Sequence, residues 1–118
     1  MRIYNTSKST DIATDARAAT GFWSRLVGLL GRSSLRPGQA LVLQPCRSIH
    51  TAFMRFEIDV IYLDRSQRVV KLVPALKPFR LSGALRRATA VIELPSGTIA
   101  NSRSAVGDHL VFRLPSSA

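Results

Sequence analysis

The chain has 118 residues, 46% of them hydrophobic, which suits one domain with its own core and argues against wholesale disorder. Lys plus Arg number 17 against 7 Asp plus Glu, a net charge of +10, and a single cysteine excludes an internal disulfide. The opening MRIYNTSKST holds no apolar run of the signal-peptide kind, and no later segment approaches the ~18 apolar residues of a membrane span, so the expectation is a soluble cytoplasmic protein with no membrane partner.

RIYN and DIATDARAA are short and partly alternating, as opening strands are. TGFWSRLVGLLGR changes period. Phe22, Leu26 and Leu30 recur at four-residue intervals with Trp23 and Val27 alongside, which predicts the principal helix over 21–30, capped by Thr20 and ended at Gly31. Pro37-Gly38 marks a turn, and Ala40 to Leu43 a short buried strand. EIDVIYLD gives the clearest strand, residues 57–63: Ile58, Val60 and Tyr62 point one way, Ile61 and Leu63 the other, so both faces are covered. RSQ then turns the chain into RVVKLV as a hairpin-like pair.

PALKPFRLSGALRR, with two prolines, a glycine and no stable period, reads as a long loop. ATAVIELP is another buried strand, SGTIANSRSA a short helix with Ser96 placed to cap it, and Gly107-Asp108 a turn into the last strand, HLVFR. Strands outnumber helices and βαβ alternation is absent. The expected fold is therefore mainly β: a compact, mostly antiparallel, barrel-like sheet with one main helix and one short one.

The order of these pieces is informative. A helix with GLLGR is followed by IHTAFMRFEIDVIYLDRSQRVVKL, a proline-containing loop, and AVIELPSGTIANSRSAVGDHL. Met54 ahead of Ile58-Asp59-Val60, the strand VIELPSG and the closing Gly107-Asp108 are its most specific parts. Over roughly residues 12 to 113 this resembles the domain of unknown function 192 family of small prokaryotic proteins. The resemblance implies a compact β-rich fold and no established activity. Where many members carry a Trp-Met-Lys-Asn-Thr-like run, this chain has Ile49-His50-Thr51-Ala52-Phe53-Met54, so a role for that polar run does not transfer intact.

Candidate chemistry gathers between Cys46 and Asp64. An extended 46–50 segment puts Cys46, Ser48 and His50 on one face, but residues four apart on a strand are roughly 13 Å apart, so a Cys46–His50 pair needs a bend. Cys46 reads as a packing residue. Asp59, between Ile58 and Val60, is a partly buried carboxylate that needs a partner, and Glu93 poses the same question beside LPSG. Cys-x-x-Cys, His-x-His and His-Glu-x-x-His patterns are absent, so no metal and no cofactor are expected. His50, Thr51 and Asp59 are expected to meet at one end of the sheet, around an apolar floor that includes Met54.

The leading reading is a non-catalytic ligand-binding or accessory module using His50, Thr51, Met54, Asp59 and Glu93. A second reading is an enzyme using His50 with Asp59 or Cys46. A third is a basic module for nucleic acid or an acidic protein, because no acid stands between Asp64 and Glu93. Seven bases do: Arg65, Arg68, Lys71, Lys77, Arg80, Arg86 and Arg87. That stretch predicts weak, non-specific polyanion binding. Its only aromatic is Phe79, so it offers no stacking platform for bases.

Overall fold

The computed structural model describes residues 1–19, 35–44, 48–50, 56–77, 81–83 and 87–114. The helix expected over 21–30 lies outside the described residues, as do Cys46, Thr51 and Met54.

The opening segments form β1 (Arg2–Asn5), β2 (Thr10–Ala13) and β3 (Asp15–Ala19), followed by β4 (Gln39–Leu43). The clearest strand of the sequence is β6 (Ile58–Leu63), preceded by the short β5 (Ser48–His50). After it come β7 (Val69–Leu76), β8 (Leu81–Gly83), β9 (Ala90–Pro95), a short helix α1 (Thr98–Ser102) and β10 (Leu110–Arg113). They assemble as a three-stranded sheet, β10-β1-β2, a five-stranded sheet, β3-β4-β9-β6-β7, and a two-stranded ribbon, β5-β8. Among the described residues pairing is antiparallel except between β3 and β4, which run parallel.

Among the described residues these sheets do not close into one barrel, so the barrel-like part of the expectation is not confirmed, although an Arg68–His109 bridge joins the start of β7 to the start of β10. Among the described residues β3 and β7 are the outer strands of the five-stranded sheet and do not pair with each other. Two-sided burial, legible in EIDVIYLD, is met by an apolar cluster on each face of β6.

All six residues of β6 are buried between β9 and β7. The period of two divides them. Ile61 and Leu63 join Ile92, Leu94, Ile3, Ile12, Ile99 and Leu110 in a core shared with the three-stranded sheet and α1. Ile58, Val60 and Tyr62 join Leu41, Leu43, Val70 and Val91 on the opposite face. Each such side chain contributes about 1.5–3 kcal/mol on burial, so the two faces together supply most of the driving force.

Local chemistry fixes the connections. Gly38 has φ 88°, and a Cβ there would meet Thr14 Oγ1 at 2.8 Å, so glycine is required at this turn. Its carbonyl accepts the N–H groups of both Thr14 and Asp15 at 2.9 Å, which sets β3 beside β4. The turn from β6 to β7 is held by Asp64 Oδ1, which accepts the amides of Ser66 (2.8 Å) and Arg68 (3.0 Å).

Two further expectations are corrected. The long loop expected from Pro74 to Arg87 holds ordered pairing: β7 continues through Pro74 to Leu76, and β8 pairs with β5. Pro74 is tolerated because β7 is an outer strand, where a missing N–H leaves no partner unsatisfied. Ser96 does not cap α1 either. The N-cap position is Gly97, left-handed at φ 96°, with no side-chain capping bond.

Candidate functional site

Asp59 points to the α1 side of the sheet and is 1% exposed. Its two oxygens are divided between two elements: Oδ1 accepts the N–H of Ala75 at 2.9 Å and Oδ2 the N–H of Ile99 at 2.8 Å. Ile99 lies in the first turn of α1, so a carboxylate from β6 does the capping that Gly97 cannot. At the other end, the β6–β7 register slips between Ile58 and Val60, setting Pro74 and Ala75 against Asp59. Ala75 is left-handed, φ 52°, and its N–H turns inward to the carboxylate. Asp59 thus joins a bulge to a helix, and its charge is met by backbone amides.

Glu93 stands one rung away and faces the other way. It lies opposite Leu41 on β4 and Val60 on β6, in the apolar layer of Tyr62 and Val91. It is 6% exposed, and among the described residues its carboxyl has no hydrogen-bond or ion-pair partner. Burial pushes its pKa from 4.5 up to about 7. The carboxyl therefore changes charge near neutral pH. Because the sheet separates Asp59 from Glu93, the two carboxylates share no pocket.

His50 ends β5, opposite Leu81 of β8. That ribbon is tied to the five-stranded sheet by Lys71, whose ammonium donates to the Gly83 carbonyl and stands 5.6 Å from the centre of the Tyr62 ring. Lys71 lies opposite Tyr62 in the β6–β7 register, so the tie is on the Glu93 side of the sheet. Asp59 is on the far side. Among the described residues no group of three His, Cys, Asp or Glu side chains could hold a metal ion.

A polar cluster that the sequence reading did not single out lies between β1 and the turn before β10. Asn5, fully buried, donates to Asp108 Oδ2 at 2.9 Å and to Ser104 Oγ at 3.2 Å. Lys8 Nζ bonds both Asp108 oxygens, at 2.9 and 3.0 Å, and the Ala105 N–H adds a fourth bond at 2.9 Å. Burial raises the Asp108 pKa, but the Asn5, Lys8 and Ala105 hydrogen bonds outweigh it and hold the carboxyl below its usual range. Every polar group is answered inside the cluster, which marks it as framework. A signal was available: Asn5 shares its strand face with Ile3, so alternation along RIYN already turned it inward.

The described bases are only partly available. Arg68 donates to the Gly107 carbonyl at 3.1 Å and Lys71 is committed as above. Arg80 and Arg86 lie outside the described residues. Among the described residues no helix is long and apolar enough to cross a membrane.

The chain is similar to known proteins over nearly its whole length. A UPF0127 protein of Pyrococcus furiosus is 36% identical over 112 residues, covering 90% of this chain and 93% of the relative. A UPF0127 protein of Pyrococcus horikoshii is 37% identical over 114 residues, 92% of this chain and 96% of the relative. The crystal structure of a protein of unknown function from Novosphingobium aromaticivorans superposes with a TM-score of 0.81 over 94% of this chain and 82% of that one. At 18% identity that likeness establishes the fold. The profile of the DUF192 family (Uncharacterized ACR) matches residues 3–112, and with these relatives it shows that the chain belongs to that family.

Proposed function

We propose that the chain is a non-catalytic ligand-binding module whose binding face is the Glu93 side of the five-stranded sheet. One observation carries this reading: a carboxyl 6% exposed, between Leu41 and Val60, with no partner among the described residues. A carboxyl largely removed from water is costly to ionise until a partner answers it, and a ligand is such a partner. At a pKa of about 7 it donates a hydrogen bond when protonated and accepts one, or pairs with a cation, when ionised. A small ligand with a hydrogen-bonding head and an apolar body fits that description. His50, Thr51 and Met54 are assigned to complete the site, from the segment leading into β6. Asp59 is assigned the supporting role of holding the bulge and α1.

The enzyme reading has less behind it, because both Asp59 oxygens already accept backbone amides and it stands across the sheet from Lys71 and its ribbon. The test is a carboxyl-detected NMR titration of Glu93 against small primary amines and amides. The expected result is a displaced Glu93 resonance with matching shifts at Leu41 and Val60, lost in Glu93→Gln. A Glu93 carboxyl that ignores every amine and amide would refute the assignment.

A further inference from the structure

A separate cavity opens on the opposite face of the sheet from Glu93. It encloses about 240 Å³ where the ends of β6 and β9 meet the three-stranded sheet. Its floor is apolar, made by Leu63 and Ala90 with Phe112 as a wall, and its mouth is polar, with Gln44, Arg65 and Thr89. The volume is below the roughly 300–1,000 Å³ that drug-sized ligands require, so its occupant is small.

We infer that this cavity binds a short aliphatic carboxylate, with the chain against Leu63 and Phe112 and the head group on Arg65. Asp64 also lines the cavity; its Oδ1 accepts the Ser66 and Arg68 amides, which offset part of its negative charge. Arg68 is occupied by the Gly107 carbonyl. Arg65, exposed at the turn, has no hydrogen-bond or ion-pair partner among the described residues, so its fork of donors is open to a carboxylate. Gln44 and Thr89 add neutral groups that can share the head group's remaining lone pairs. A polar mouth over an apolar floor selects a molecule with one charged end and one hydrocarbon end. The net charge of +10 favours an anion at long range.

The test is calorimetric titration of the whole chain with the straight-chain series from acetate to octanoate, beside the matching primary alcohols and inorganic phosphate. Affinity should rise roughly fourfold per methylene until the cavity is full, since each buried CH₂ contributes about 0.8 kcal/mol. Alcohols should bind at least tenfold more weakly than acids of the same length. Arg65→Gln should remove that preference. Ala18 lines the cavity yet is exposed, so Ala18→Leu fills it without entering the core. That variant should weaken hexanoate and leave acetate unchanged. Circular dichroism checks that both variants fold. Affinity independent of chain length, phosphate binding as well as hexanoate, or acid binding unaltered in both variants would each overturn the inference. Because Glu93 lies on the other face, Glu93→Gln should leave these titrations unchanged, which separates this site from the one proposed above.

Discussion

Asp59 Oδ2 accepts the backbone N–H of Ile99 at 2.8 Å, across 40 residues of sequence. The other oxygen of the same carboxylate accepts Ala75 N–H, so one buried side chain fixes β7 and α1 to β6. Asp59→Ala should destabilise the protein by about 3–5 kcal/mol, since hydrogen bonds to a charged group contribute about 1.5–3 kcal/mol each and the amides left behind stay buried. Asp59→Asn, which keeps one acceptor, should lose less. Urea unfolding gives the magnitudes. Hydrogen exchange at Ala75 and Ile99 should accelerate in both variants ahead of the β6 amides.

Glu93 gives stability a pH dependence of known sign. Its carboxyl titrates at about 7 when folded against 4.5 as the ordinary value, so the folded state holds the proton more tightly. Stability should therefore be highest below about pH 4.5 as far as this group is concerned, fall as pH rises, and level off above about 7. The loss is on the order of 3 kcal/mol across the window. Glu93→Gln should flatten the curve and be the more stable protein at pH 8. Thermal unfolding from pH 5 to 8.5 measures both.

Asp108 has the reverse sign. Its folded pKa lies below the ordinary 3.8, so its contribution is complete above that value and is lost as pH falls through the folded one. Asn5→Ala removes the two side-chain bonds to Asp108 and Ser104 and should cost about 2 kcal/mol near neutral pH. Acid-induced unfolding of that variant should begin at higher pH than in the parent chain. Fluorescence or circular dichroism during an acid titration reads it directly.

The basic stretch from Arg65 to Arg87 is expected to bind DNA and RNA weakly and without sequence preference at low ionic strength. Arg68 and Lys71, two of the seven bases, already donate to protein carbonyls, and binding through a few exposed bases should fade by ~0.2 M salt. A gel-shift series with two unrelated DNA sequences and one RNA checks this. Tight, sequence-selective binding at physiological salt would contradict it.

Much of the fold was legible because strand alternation is a local property. Ile58, Val60 and Tyr62 against Ile61 and Leu63 announced two covered faces, and both are covered. The same alternation placed Asp59 inward, and the need of a buried carboxylate for a partner follows from charge alone. Turn chemistry was equally local: Gly38 at its left-handed turn stands where Pro-Gly marked one. The loop expectation from Pro74 to Arg87 failed because two prolines suggest irregular chain, while an outer strand accommodates one without losing a hydrogen bond.

The sequence by itself determined the main buried strands, their inward faces, and the presence of carboxylates at positions 59 and 93 that burial would have to answer. Only the tertiary structure decided what answers them. Asp59 found amides 16 and 40 residues away, and these separations are set by sheet register and by the packing of α1, which no local pattern encodes. Glu93 came to rest between Leu41 and Val60 because β9 pairs with β4 on one side and β6 on the other. How the sheets meet at their edges was decided at the same level. Whether a twisted sheet closes depends on what covers its outer strands, and that is a property of the assembled layers rather than of any one strand.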